Sequence, residues 1–169
     1  FVDEIYGGAE LSDDVVIQYI KSKGVELKTV KSQKFDPTIH KADTFIISNF
    51  VGLSEQNKKW FEGFPKTSDG CRYIIIERDQ KYARFRNTVM HPDFIAPEHE
   101  VVNKEFYRRA SKVYCLTSHS ADLLLKHIDL TNVESLGCTQ FSPEQFDYMR
   151  KMYKESKTGK WCVVPGKRS

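Results

Sequence analysis

Short apolar runs alternating with segments of helical period constrain this chain more than any other feature. Thr44-Phe45-Ile46-Ile47 and Tyr73-Ile74-Ile75-Ile76 are brief, rich in β-branched and aromatic residues, and bounded by polar stretches, as buried parallel strands are. Lys112 to Thr117 and Asn132 to Leu136 read as two further strands, and Val25 to Val30 alternates in the manner of another. Between them lie amphipathic segments. Leu11, Val15, Val16, Tyr19 and Ile20 share one helical face, and Gly24 ends that helix. Ser54 is placed to cap a helix carrying Trp60 and Phe61. Glu98 to Ala110 reads as a helix with Val101, Val102, Phe106 and Ala110 inward, and Ser118 or Ser120 caps the next, through Leu123, Leu124 and Leu125. Ser142-Pro143-Glu144-Gln145 opens a last helix with Ser as cap, Pro in the first position and Gln in the third, continued by Phe146, Met149 and Tyr153. Alternation of this kind predicts an α/β fold: a three-layer Rossmann-like domain, mostly parallel sheet, helices on both faces, right-handed crossovers.

The length of 169 residues suits one such domain, and 40% hydrophobic with 29% charged residues is ordinary for a globular protein. A net charge of +3 is too small to argue for nucleic acid as a partner. No apolar run approaches the ~20 residues of a membrane span, and no signal peptide is read, so the expected setting is cytoplasmic. Cys71, Cys115, Cys138 and Cys162 are far apart with no Cys-x-x-Cys pair, which favours reduced structural thiols over a disulfide framework or a zinc site. Phe1-Val2 reads as the tail of a strand, and Trp161-Cys162-Val163-Val164 as one just starting. The expected division is therefore a domain over 1–160, with 161–169 as a tail or the start of a second domain.

In open parallel sheets ligands bind outside the carboxyl ends of the strands. Those ends are Gly7-Gly8, Asn49-Phe50, Glu77-Arg78-Asp79 and Thr117-Ser118-His119. Gly7-Gly8-Ala9-Glu10 sits between a strand and a helix, where glycine lets the main chain approach phosphate or sugar; the same pair also serves simply as a tight turn. Glu77 to Asn87 is the densest polar stretch. Asp79 or Glu77 could act as a base or orient a hydroxyl, and Lys81, Arg84 and Arg86 could hold phosphate. A solvated loop whose charges pair among themselves explains the same stretch. Ser118-His119-Ser120 lacks a nucleophile elbow, so a helix start with a pocket-facing His and anion-binding N–H groups is preferred to a triad. His91, Asp93, Glu98 and His99 match no zinc spacing, and neither a P-loop nor a Gly-x-Gly-x-x-Gly fingerprint is present.

Taken together, Gly7-Gly8-Ala9-Glu10, Glu77-Arg78-Asp79, the run Val113-Tyr114-Cys115-Leu116-Thr117 into Ser118, and Asn132 to Gly137 followed by Phe141-Ser142-Pro143-Glu144 resemble the amino-terminal, acceptor-side domain of a GT-B glycosyltransferase, of the retaining glycogen-synthase- and mannosyltransferase-like kind. The resemblance covers almost the whole chain in element order. It implies transfer of a sugar from a nucleotide-sugar, a donor substrate and not a cofactor, to a hydroxyl acceptor, with no metal and no cofactor. It implies Gly7 and Gly8 beside the donor diphosphate, Arg78, Lys81 and Arg84 as positive charge near phosphate or an anionic acceptor, and Asp79 orienting the acceptor. The family often carries a His where this chain reads Glu77-Arg78-Asp79, and its pair of glutamates for donor phosphate and ribose has no counterpart here. A second domain, in cis or in trans, is therefore an expected partner, and little transfer is expected from this chain by itself. Two other readings stay open: a non-catalytic Rossmann-like binding or interaction domain, and a small phosphate-binding α/β enzyme built on Ser118-His119.

Overall fold

Four strands, all parallel and in unbroken order β1-β2-β3-β4, form the sheet: β1 Thr44–Ile47, β2 Arg72–Glu77, β3 Lys112–Cys115 and β4 Val133–Ser135. The computed structural model describes residues 8–64, 72–137 and 140–154. The helices are α1 Gly8–Ser22, α2 Glu55–Glu62, α3 Lys104–Arg109, α4 Ser118–His127 and α5 Pro143–Lys154. The chain divides into two units, Phe1–Thr139 and Gln140–Ser169, and α5 belongs to the second. Gly7, the strand read at Phe1-Val2 and the segment 161–169 lie outside the described residues, as do Cys71, Cys138 and Cys162.

Strand parity sorts the side chains of the sheet into two layers. Ile47, Ile75 and Val113 are cross-strand neighbours, as are Glu77 and Cys115. Ile47, Tyr73, Ile75, Val113 and Cys115 make the core with Phe61 of α2, Phe106 and Tyr107 of α3 and Leu124 of α4. Aromatic rings dominate it. Phe106 lies 4.9 Å from Phe50 and 5.0 Å from Tyr73, and Phe61 lies 5.0 Å from Phe35. Ser48 and Arg78, one residue beyond β1 and β2, have the opposite parity. Asp13 of α1 meets both, so α1 covers the other face at its carboxyl edge. The result is the expected three-layer, Rossmann-like α/β arrangement.

Several local expectations are corrected. Val25 to Val30 forms no strand: it finds no ladder partner among the described residues, and Val25 and Val30 are exposed. The helix read from Glu98 begins only at Lys104. Glu98–Glu100 form one 3-10 turn, and a bridge between Ala83 and Val101 and a left-handed Asn103, φ 57°, separate it from the α-helix. Thr117, not Ser118 or Ser120, caps α4, its hydroxyl accepting from the Ser120 N–H at 3.1 Å. On α1 the buried residue is Ser12, while Leu11 and Tyr19 are exposed. Other caps stand as read. Gly24, φ 73°, ends α1, Ser54 caps α2, and Ser142 and Gln145 exchange side-chain bonds to each other's N–H at 3.2 and 2.7 Å.

Cys115 is a free, fully buried thiol. Burial, with the Glu77 charge adding to it, pushes its pKa from an ordinary 9.0 up to about 12. The folded state thus holds the proton more tightly than the unfolded chain. Its contribution to stability is complete below the ordinary thiol value and is lost as pH rises from 9.0 toward about 12. In mildly alkaline buffer the native protein is expected to leave Cys115 unalkylated by iodoacetamide, and urea to make it reactive, as read by peptide mass spectrometry. Modification at equal rates with and without urea would contradict this burial.

Candidate functional site

The site is built where β2 ends. Glu77 continues the inward parity of Tyr73 and Ile75 and is buried. One of its carboxylate oxygens accepts from the N–H groups of Asp79, at 2.9 Å, and Lys81, at 3.2 Å, while the other accepts from the Tyr107 hydroxyl. Burial, then the Glu77 charge and this bond, hold the Tyr107 phenol protonated well above its ordinary range. Lys81 is also buried, its ammonium paired with Asp79, 3.7 Å from Glu77 and 5.7 Å from the centre of the Phe50 ring. Asn103 ties the turn to α3 by donating to the Lys81 carbonyl at 2.9 Å. Glu77 and Lys81 are therefore spent on the corner itself. Their contacts shape the turn and hold Asp79 at its edge.

Asp79 stands at the rim, its side chain 45% exposed, with one oxygen on Lys81 and the other 3.5 Å from Arg86. A carboxylate so placed keeps lone pairs for a further donor. Arg84 is exposed, and its backbone N–H donates to the Glu100 carbonyl at 2.9 Å. Among the described residues, every non-glycine residue of positive φ falls between Gln80 and Asn103. Such backbone strain clusters at functional loops. The loop is closed by the Ala83–Val101 bridge and tied to α4, where His127 accepts from the Ala96 N–H at 2.9 Å and its other nitrogen meets the Leu123 carbonyl at 2.6 Å. That pattern fixes His127 as the tautomer with its proton on Nδ1.

Arg78 has the outward parity and faces α1. Its side chain is only 8% exposed, and Nη1 pairs with Asp13 Oδ1 at 2.8 Å. The other oxygen of Asp13 accepts from the Ser48 hydroxyl at 2.7 Å. One acid of α1 thus joins the ends of β1 and β2, five residues along the helix from Gly8. Nε and Nη2 of Arg78 are buried with no hydrogen-bond partner. Ser118 and His119 open α4 at the end of β3 and are exposed, the His119 ring lying edge-on to Phe94 at 6.2 Å.

The structure therefore sets Asp13 of α1 against Ser48 and the Arg78 corner, with Asp79 next in sequence at the rim. It separates Glu77 from Arg78, which face opposite layers despite being adjacent in sequence. Asp13, Ser48 and Tyr107 belong to the site and were not read from the sequence. Only Tyr107 had a local signal, an aromatic one position from the inward Phe106. Among the described residues no three His, Cys, Asp or Glu side chains could hold a metal ion; His91 pairs instead with Glu100 at 3.1 Å. A separate cleft of about 380 Å³ lies at the start of α2, lined by Asp36, Asn57 and Trp60 among others. No helix among the described residues is long and apolar enough to cross a membrane.

These features define the class: a parallel α/β domain with a polar rim at the carboxyl ends of its strands. Comparison with protein-family models, with curated proteins and with solved structures found no match in any of the three.

Proposed function

We propose that the chain is the acceptor-side domain of a GT-B-type glycosyltransferase, acting in transfer of a sugar from a nucleotide-sugar to a hydroxyl. The observation that supports this reading best is the bond pair of Asp13, which sets the first turns of α1 against the ends of β1 and β2. A ligand at Gly8, where α1 begins, would then lie toward the same strand ends as Ser48 and Arg78. In this assignment Gly7 and Gly8 approach the donor diphosphate, Asp79 orients the acceptor hydroxyl, and Arg78, Arg84, Ser118 and His119 line the rim. Glu77 and Lys81 act as positioning residues for Asp79. A second Rossmann-like domain, in cis or in trans, completes the donor site, and a cytoplasmic setting suits the free thiol of Cys115.

The reading is tested by titrating the isotopically labelled 169-residue chain with UDP-glucose and with GDP-mannose and following its backbone amides by NMR. Shifts are expected to cluster at Gly8 to Asp13, Ser48 to Phe50, Arg78-Asp79 and Thr117 to His119. Because this chain supplies only part of the donor site, weak binding is expected and the titration is carried to about 10 mM, where a site of millimolar affinity is largely filled. Shifts confined to the cleft beside Trp60, or none at all at that concentration, would defeat the reading.

A further inference from the structure

The unpartnered edge of Arg78 has the chemistry of a binding site. A guanidinium offers five N–H donors, and a buried one is costly unless they are used. Asp13 engages Nη1 alone. Nε and Nη2, which carry the side-on pair of parallel N–H bonds, are buried and empty-handed. That pair matches two oxygens of a carboxylate or a phosphate in a bidentate fork. Asp13 balances the charge of Arg78 but leaves these two donors unused. The second oxygen of Asp13 is taken by the Ser48 hydroxyl, and Glu77 and Asp79 are engaged by Lys81, so none of these carboxylates reaches Nε or Nη2.

Access is provided by the element that covers this corner. No residue of α1 belongs to the hydrophobic core cluster: Leu11 and Tyr19 are exposed, and Val15, Val16, Ile17 and Ile20 are only partly buried. Its inward residues near the corner are the polar Ser12 and Asp13. A helix outside the core cluster, held at this strand end by polar contacts, can shift at less expense in buried apolar area than a core helix.

We propose that the Nε–Nη2 edge of Arg78 is an oxyanion site beneath the first turns of α1, taking the carboxylate or phosphate of a small ligand. The proposal deepens the glycosyltransferase reading, on which it rests only for the idea that the anion belongs to a sugar-bearing reactant: one reactant would then be acidic, a uronic-acid or a phosphorylated sugar.

The test observes Arg78 itself, through its side-chain Nε–H resonance in the labelled full chain. Glucuronate, glucose 6-phosphate and inorganic phosphate are titrated in, with glucose as the neutral control. The expected result is a saturable shift of the Arg78 resonance by at least one anion and none by glucose. Glucuronate without phosphate assigns a carboxylate, and the reverse assigns a phosphate. Arg78→Lys keeps the charge but not the fork, and is expected to bind about tenfold or more weakly. Unchanged amide positions for Ile75 and Val113 would verify that this variant is folded. An Arg78 resonance unmoved by all three anions, or moved equally by glucose, would overturn the proposal, as would undiminished anion binding in folded Arg78→Lys. The two readings fail separately. Anion saturation at Arg78 without any response to nucleotide-sugars upholds the site and removes the glycosyltransferase. Rim shifts with nucleotide-sugars but a silent Arg78 do the opposite.

Discussion

Replacing Glu77 with alanine is expected to destabilise the protein by about 3–5 kcal/mol, the range for breaking a buried ion pair from one side. Three donors lose their acceptor at once: the N–H groups of Asp79 and Lys81 and the Tyr107 hydroxyl. The Lys81 ammonium, buried to within a few per cent, is left with Asp79 alone. Glu77→Gln keeps the shape and an acceptor oxygen but removes the charge, so a smaller loss, about 1–3 kcal/mol, is expected. Urea unfolding of the three proteins checks this. A Glu77→Ala midpoint within about 0.5 kcal/mol of the parent would mean that the corner is hydrated and unimportant to the fold. The size of the effect is what separates a positioning carboxylate from a catalytic one held in reserve, since a rim acid that merely awaited substrate would be removed at little cost.

That distinction was only half visible in the sequence. The strands were legible because apolar runs such as Tyr73-Ile74-Ile75-Ile76 end abruptly in charge, and the end of a parallel strand is where ligands sit. The same logic found Glu77, Arg78 and Asp79 but treated them as one cluster. Period-two alternation would have divided them, since Glu77 follows Ile75 inward and Arg78 follows Ile76 outward. Asp13 was beyond reach for a different reason. Its partners, Ser48 and Arg78, are fixed by how α1 crosses the sheet edge, which no local pattern encodes. Val25 to Val30 failed because alternation records compatibility with a pleat and not the presence of a neighbouring strand. The late start of α3 depends on Asn103 adopting a left-handed conformation and on the bridge between Ala83 and Val101, both set by the loop closing on itself. Short-range chemistry, by contrast, was read well at the Ser142–Gln145 capping box, where the partners are three residues apart.

The second large effect lies beneath the corner. Phe106 is completely buried between Phe50, Tyr73 and Phe61, with ring centres 4.9, 5.0 and 6.2 Å away. Its carbonyl also accepts the Tyr73 hydroxyl at 2.5 Å. Phe106→Ala is expected to cost about 3–5 kcal/mol, through lost burial and the cavity left among rings that cannot all collapse into it. Phe106→Leu refills most of that volume and forfeits mainly the ring-to-ring contacts, for about 1–2 kcal/mol. Phe85, 71% exposed on the loop, supplies the contrast: its alanine variant is expected to lie within about 0.5 kcal/mol of the parent. Urea midpoints at an unchanged denaturant slope measure all three. The ordering matters because Phe106 sits one residue before Tyr107, whose hydroxyl holds Glu77. A cavity at Phe106 should therefore be felt at the rim as altered amide shifts for Asp79 and Lys81, while Phe85→Ala leaves those two unmoved. Equal stability losses for Phe85 and Phe106, or a rim indifferent to the cavity, would mean that the aromatic core and the polar corner are independent.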